Sequence, residues 1–234
     1  MIAGLQKMTL LDFPGKVACT LFLQGCNWRC PFCHNSGLLS GPAETPMETD
    51  AFLRFLETRK GLLDGVCVSG GEPTLHPGLP ALLDEIKKLG YAVKLDTNGS
   101  RPDVLRTVAE NNLVDYVAMD IKNSPALYAA TTGIPDIDLG AVEESIQYLV
   151  SSSLPYEFRT TLVHPLHSDN SILEMGKWLS SLVPEKKPEK LFLQAFQDRD
   201  TVLFSGLSAP DESVILRWQA LLAPYVQDVV IRSR

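Results

Sequence analysis

VACTLFLQGCNWRCPFCHN, residues 17–35, runs from a β-branched and apolar stretch directly into three cysteines, Cys26, Cys30 and Cys33. VACTLFL (17–23) predicts a strand, and the polar, glycine-containing QGCNWRC follows its carboxyl end. The same grammar recurs along the chain: GVCVS (65–69) leads into SGGEP, AVKLD (92–96) into DTNGS, and YVAMDI (116–121) into DIKNS. Further strands are expected at EFRTTLV (157–163), KLFLQAF (190–196) and VQDVVI (226–231). Amphipathic stretches at 48–60, 78–89, 102–112, 140–152, 170–182 and near 211–223 predict the intervening helices, and the second stops at Gly90, a residue suited to a helix end. Such alternation implies parallel βαβ units with right-handed crossovers. A barrel and an open doubly wound sheet both satisfy it, and either collects the segments after the strands at one mouth.

Composition narrows the class. Apolar residues at 45% and charged residues at 21% fit a globular protein. The net charge of −7, with no basic stripe, argues against backbone-driven nucleic-acid binding. No apolar run reaches the ~18 residues that would suggest a membrane span. MIAGLQKMTLLDFPGK lacks the basic and apolar regions of a secretory signal, so a cytoplasmic, thiol-reducing setting is expected. No linker or repeat interrupts the pattern, and residues 1–234 read as a single domain. Five cysteines, three of them clustered, favour a metal site over a disulfide framework.

Three readings of the cysteine cluster use the same residues. A structural zinc site needs a fourth ligand, and His34 directly follows Cys33, where an extended chain turns it the other way. A redox pair of Cys30 and Cys33 leaves Cys26 unexplained. An iron–sulfur cubane held at three irons by Cys26, Cys30 and Cys33 leaves the fourth iron for an external ligand; Gly25 and Pro31 suit the constrained loop it needs.

CNWRCPFC, a CxxxCxxC pattern, resembles the signature of the radical S-adenosylmethionine (SAM) superfamily. The resemblance implies an α/β fold, a partial (β/α)6 TIM-like barrel. It implies one [4Fe–4S] cluster on Cys26, Cys30 and Cys33, with the open iron chelated by the amino and carboxylate groups of SAM. One-electron reduction then breaks a carbon–sulfur bond and releases a 5′-deoxyadenosyl radical. Phe32 matches the aromatic residue placed near the adenine, and Cys33, His34 and Asn35 resemble the CHN of the glycyl-radical activating branch.

SGGEPTL (68–75) is, on its residues alone, a tight turn whose glycines permit close backbone approach and whose acid can meet a cationic amine. By resemblance, Gly70, Gly71 and Glu72 receive the methionyl amino group. Asp96 and Asp120 are ordinary turn or cap residues on a plain reading. Similarity to the activating enzymes of pyruvate formate-lyase and anaerobic ribonucleotide reductase instead places Ile121, Lys122 and Asn123 against the cofactor. It also makes Asp96, Thr97 and Asp120 candidate holders of a monovalent cation. Arg159, a charge inside a strand, is expected to meet a carboxylate or ribose, or to form a structural ion pair. His164 and His167 flank a proline loop and suit loop hydrogen bonding better than metal ligation; Gln194 is a further candidate at the site. Cys19 and Cys67 read as buried core residues. The branch implies a glycyl-radical partner, with anaerobic ribonucleoside-triphosphate reductase expected first, and flavodoxin or ferredoxin as electron donor. The rival readings are a radical enzyme acting on a small molecule, such as one of deazaguanine synthesis, and a non-enzymatic metal-stabilised electron-transfer protein.

Overall fold

A computed structural model describes residues 2–39, 46–202 and 204–232. Its strands are β1 (Ile2–Thr9), β2 (Ala18–Leu23), β3 (Gly65–Gly70), β4 (Ala92–Thr97), β5 (Tyr116–Asp120), β6 (Tyr156–Leu162), β7 (Lys190–Ala195) and β8 (Asp228–Arg232). The helices are α1 (Thr49–Glu57), α2 (Leu79–Lys88), α3 (Pro102–Glu110), α4 (Pro125–Thr132), α5 (Leu139–Ser151), α6 (Asp169–Leu182) and α7 (Glu212–Leu222). The strands form one sheet in the order β1 to β8, with no reversal. A doubly wound sheet reverses at a switch point, so this order is that of the partial barrel. β1 pairs antiparallel with β2, whereas β2–β3, β3–β4, β6–β7 and β7–β8 pair in parallel.

The chain forms two compact units. The first takes in Met1–Asn27, Gly37–Thr97 and Asp103–Ala118; the second takes in Trp28–Ser36, Asn98–Pro102 and Met119–Arg234.

In the first unit, strand alternation puts Val66, Val68, Val93 and Leu95 into the core. Helix α2 packs on β4 and against α1. Its apolar face (Leu79, Leu83 and Ile86) is fully buried or nearly so, worth about 1.5–3 kcal/mol per side chain. Gly90 adopts φ 91° after α2, which reverses the chain into β4, as its position in the sequence predicts. Asp115 fastens the start of β4 by accepting from Val93 N at 2.7 Å and pairing with Lys87 Nζ at 2.7 Å.

In the second unit, α6 packs against α4, α5 and α7. Its start is a capping box in which Ser168 and Ser171 bond reciprocally. Trp218 of α7 is buried and donates its indole N–H to Asp169 Oδ1 at 2.6 Å. Among the described residues, no helix is long and apolar enough to cross a membrane.

Candidate functional site

The first unit carries Cys26 and the Gly70–Gly71–Glu72 turn. Gly71 N donates to Leu23 O at 2.9 Å, and Glu72 N donates to Gly25 O at 2.7 Å. These bonds strap the backbone just before Cys26 onto the end of β3. A Cβ on Gly71 would stand 2.0 Å from Gly25 O, and one on Gly70 would stand 2.1 Å from Leu23 O. The sequence assigns these glycines to close approach of a ligand; the close approach seen here is to the cysteine loop's own backbone.

Glu72 has no exposed surface. Its Oε1 accepts from Thr74 N at 3.1 Å, from the Thr74 hydroxyl, and from Thr97 Oγ1 at 2.8 Å. The acid therefore ties the turn after β3 to the end of β4, a task that its sequence reading as an amine acceptor does not include. Asp96 pairs with Lys94, a residue the sequence reading passed over and which lies buried within β4.

The second unit carries Cys30, Phe32, Cys33 and His34 on one loop. Arg29 N donates to Thr132 O at 2.8 Å, and Trp28 packs edge-on to Tyr128, with centroids 5.9 Å apart. Tyr128 packs in turn on Trp178 at 5.8 Å. The loop's entry is thus fixed by a three-aromatic stack against α4 and α6. Cys33 N donates to Cys30 O at 3.1 Å, forming a tight turn that keeps the two thiols on one short bend. Phe32 is buried with Val163 and Phe196.

Beneath this loop lies a charge cluster. Lys122 Nζ stands 2.8 Å from Asp120 Oδ2 and 5.8 Å from the Phe32 ring centroid, within cation–π range. Arg159 Nε donates to Asp120 Oδ1 at 3.1 Å, so the strand arginine forms an ion pair within the chain, the second of its two expected roles. Burial alone would raise the Asp120 carboxyl, but the charges and hydrogen bonds of Lys122 and Arg159 overcome it and hold it at about 2. Desolvation pushes the Cys30 and Cys33 thiols above their ordinary range, and the Lys122 ammonium pulls them partly back.

Backbone links hold this cluster in place. Ile121 is buried and donates N–H to Arg159 O at 2.8 Å. Asn123, also buried, donates to Thr131 Oγ1 at 2.9 Å and Leu166 O at 2.8 Å. His167 accepts from Val163 N at Nδ1 and donates from Nε2 to Lys122 O at 2.9 Å. Its role is loop hydrogen bonding, and burial lowers its pKa. Gln194 lies half-buried on β7.

Asp120 also yields a pH prediction. A carboxyl depressed in the fold adds stability above its unfolded pKa, near 3.9, and loses it as pH falls through about 2. With the Asp120 side chain 33% exposed, the contribution is discounted to about 1–2 kcal/mol. Asp120→Asn should therefore lower the melting temperature at pH 7 and converge with the parent as pH approaches 2. Equal destabilisation at both pH values, read by thermal denaturation, would exclude the charge pairing as the cause.

The donors fit the cluster that the cysteine spacing suggests. Cys26, Cys30 and Cys33 are in no disulfide and are all partly exposed. His34, the candidate fourth zinc ligand, is otherwise engaged: its Nε2 bonds Gln197 O at 2.7 Å and its ring stacks on Phe196. Among the described residues, no three His, Cys, Asp or Glu side chains gather about a single metal ion.

Comparison with known proteins agrees. A Methanocaldococcus jannaschii protein named as a glycyl-radical enzyme activating enzyme is 27% identical over 100% of this chain and 96% of its own length. The pyruvate formate-lyase-activating enzyme of Streptococcus mutans is 30% identical over 78% of this chain and 73% of its own. Among solved structures, Streptococcus suis SuiB bound to S-adenosylmethionine superposes with a TM-score of 0.67 at 13% identity. That likeness, over 92% of this chain and 52% of SuiB, speaks to the fold alone. The family model described as the radical SAM superfamily matches residues 20–179. Because that match runs unbroken from the cysteine loop through the Gly-Gly-Glu turn to the Arg159 strand, the chain belongs to the radical SAM superfamily, whose enzymes work with a [4Fe–4S] cluster and S-adenosylmethionine.

Proposed function

We propose that this enzyme, acting as a single radical SAM domain in the cytoplasm, generates a glycyl radical on a partner enzyme. Anaerobic ribonucleoside-triphosphate reductase is the first candidate partner, with flavodoxin or ferredoxin as electron donor. The observation that carries the reading is the cysteine loop, with three thiols outside any disulfide and a neighbouring His34 already committed to Gln197. Similarity to named activating enzymes over most of the chain supports the activase class.

In this reading Cys26, Cys30 and Cys33 hold the [4Fe–4S] cluster. Gly70, Gly71, Glu72 and Asp96 border the amino-acid end of S-adenosylmethionine; Phe32, His34, Asp120, Ile121, Lys122, Asn123 and Arg159 border the rest. A cluster held by these cysteines would supply the one-electron chemistry that splits S-adenosylmethionine into methionine and the radical that activates the partner's glycine. The chain's own part is placement. The Trp28–Tyr128–Trp178 stack fixes the loop, and Lys122 and Arg159 hold Asp120 ionised and oriented. The buried Phe32, Val163 and Phe196 keep water from one side of Cys30. A monovalent cation gains no support from the carboxylates expected to hold it, since Asp96 and Asp120 are each already paired with fixed cations.

The test is electron paramagnetic resonance on reduced, reconstituted enzyme with S-adenosylmethionine, with and without the reductase. A glycyl-radical signal that arises only with the partner is expected. Stoichiometric modification of a deazaguanine precursor, with no protein radical, would instead establish the small-molecule reading.

A further inference from the structure

Lys94 is 1% exposed in the middle of β4. Lysine is almost never buried this fully unless it is paired. The parallel register sets it beside Cys67 of β3, whose Sγ lies 3.9 Å from Nζ. Two residues along the same strand face, Asp96 Oδ1 accepts a short hydrogen bond from Nζ. Burying an ammonium costs desolvation that an apolar side chain of similar length would avoid, so stability gives no reason for lysine at this position. Asp96 explains it. This carboxylate sits at the carboxyl end of β4 beside Thr97, whose hydroxyl donates to Glu72, and it is only 14% exposed. A carboxylate with so little exposure is stabilised by a cation held against it.

We propose that Lys94 is a positioning residue: the chain's own countercation for Asp96, filling a place that a bound monovalent ion would otherwise take. It holds the carboxylate aimed at the end of β4, and it makes ligand binding there independent of added sodium or potassium. The consequence for S-adenosylmethionine rests on the proposed role of Asp96 above; the countercation itself does not.

Two arms separate these. In cluster-free protein, Lys94→Ala removes the ammonium and leaves space beside Asp96. Ammonium or methylammonium chloride should raise the melting temperature of this variant, and tetramethylammonium chloride at equal ionic strength should not. Equal responses to the three salts overturn the countercation, whatever the enzyme binds. In reconstituted protein, Lys94→Met, closer to lysine in length, and the double variant Lys94→Met/Asp96→Asn are compared by equilibrium dialysis with S-adenosylmethionine and by melting. Lys94→Met should weaken binding by at least about tenfold, as removal of one member of a buried charge pair does. The double variant should recover melting temperature but not affinity. Recovery of both, or Lys94→Met binding within about twofold of the parent, overturns the positioning role. Parent affinity should be unchanged when sodium is exchanged for potassium or tetramethylammonium; a requirement for either small ion contradicts the proposal. A parent that binds no S-adenosylmethionine defeats the cofactor reading and leaves the first arm intact as the test of Lys94.

Discussion

Cys30→Ser protein is expected to emerge colourless from anaerobic iron–sulfide reconstitution and to cleave no S-adenosylmethionine. The loop carries three cysteines and the other two, Cys19 and Cys67, are buried in strands, so no thiol stands ready to take over, and a serine hydroxyl is a poor donor to iron of this kind. Loss of outer partners alone costs metal sites about 10–100-fold, so loss of a direct ligand should cost more than that. The effect should be specific to the loop. Burial in β2 holds the Cys19 thiol up at about 12, which makes it a neutral, inert core residue. Cys19→Ser should keep its colour. Iron and sulfide analysis of both variants beside the parent decides the matter, and a fully loaded, active Cys30→Ser enzyme would remove the cluster from this loop.

The second large effect is expected where no cysteine is changed. Gly71→Ala places a methyl group 2.0 Å from Gly25 O and 2.5 Å from Gly25 C, both backbone atoms that cannot swing aside. The loop must retreat, which breaks the Glu72 N–Gly25 O bond and carries the neighbouring Cys26 with it. Overpacking of this kind typically costs about 1–3 kcal/mol, and the lost buried hydrogen bond adds about 1 kcal/mol. Cluster-free Gly71→Ala protein should therefore melt lower than the parent, and reconstitution should yield substoichiometric iron. A parent-like melting temperature with full iron content would show that the turn does not brace the loop. Lowered S-adenosylmethionine affinity with both properties intact would return Gly71 to the role its sequence alone suggests.

These two residues show what sequence could and could not supply. Strands β2 to β7 were readable because each is a short, largely apolar run followed by polar or Gly/Pro-containing chain, and the helices between them carry the 3.6-residue period. β1 escaped. Its outward Gln6, Lys7 and Met8 break the apolar pattern, and it joins the sheet antiparallel, through irregular pairing, rather than by a helical crossover. α4 escaped for want of length, although its signals were present: Pro125 at the first position and Gly133 at φ 70° after the last.

The cysteine loop was legible because its three ligands lie within one short segment. The partners of Glu72 were not, because Thr97 lies 25 residues away and only the adjacency of β3 and β4 brings its hydroxyl to the acid. Lys94 was within reach of strand periodicity, which places it on one face with Asp96. A single charge in an apolar run is easily passed over until its burial is known.

The central claim is that a cubane held by Cys26, Cys30 and Cys33 presents one iron to S-adenosylmethionine. Electron–nuclear double resonance on the reduced protein, with the cofactor labelled with ¹⁵N at its amino nitrogen, tests this most directly. The account predicts a hyperfine coupling between that nitrogen and the cluster, lost when the label is moved to the adenine. A cluster signal that is unchanged by the cofactor and shows no such coupling would contradict it.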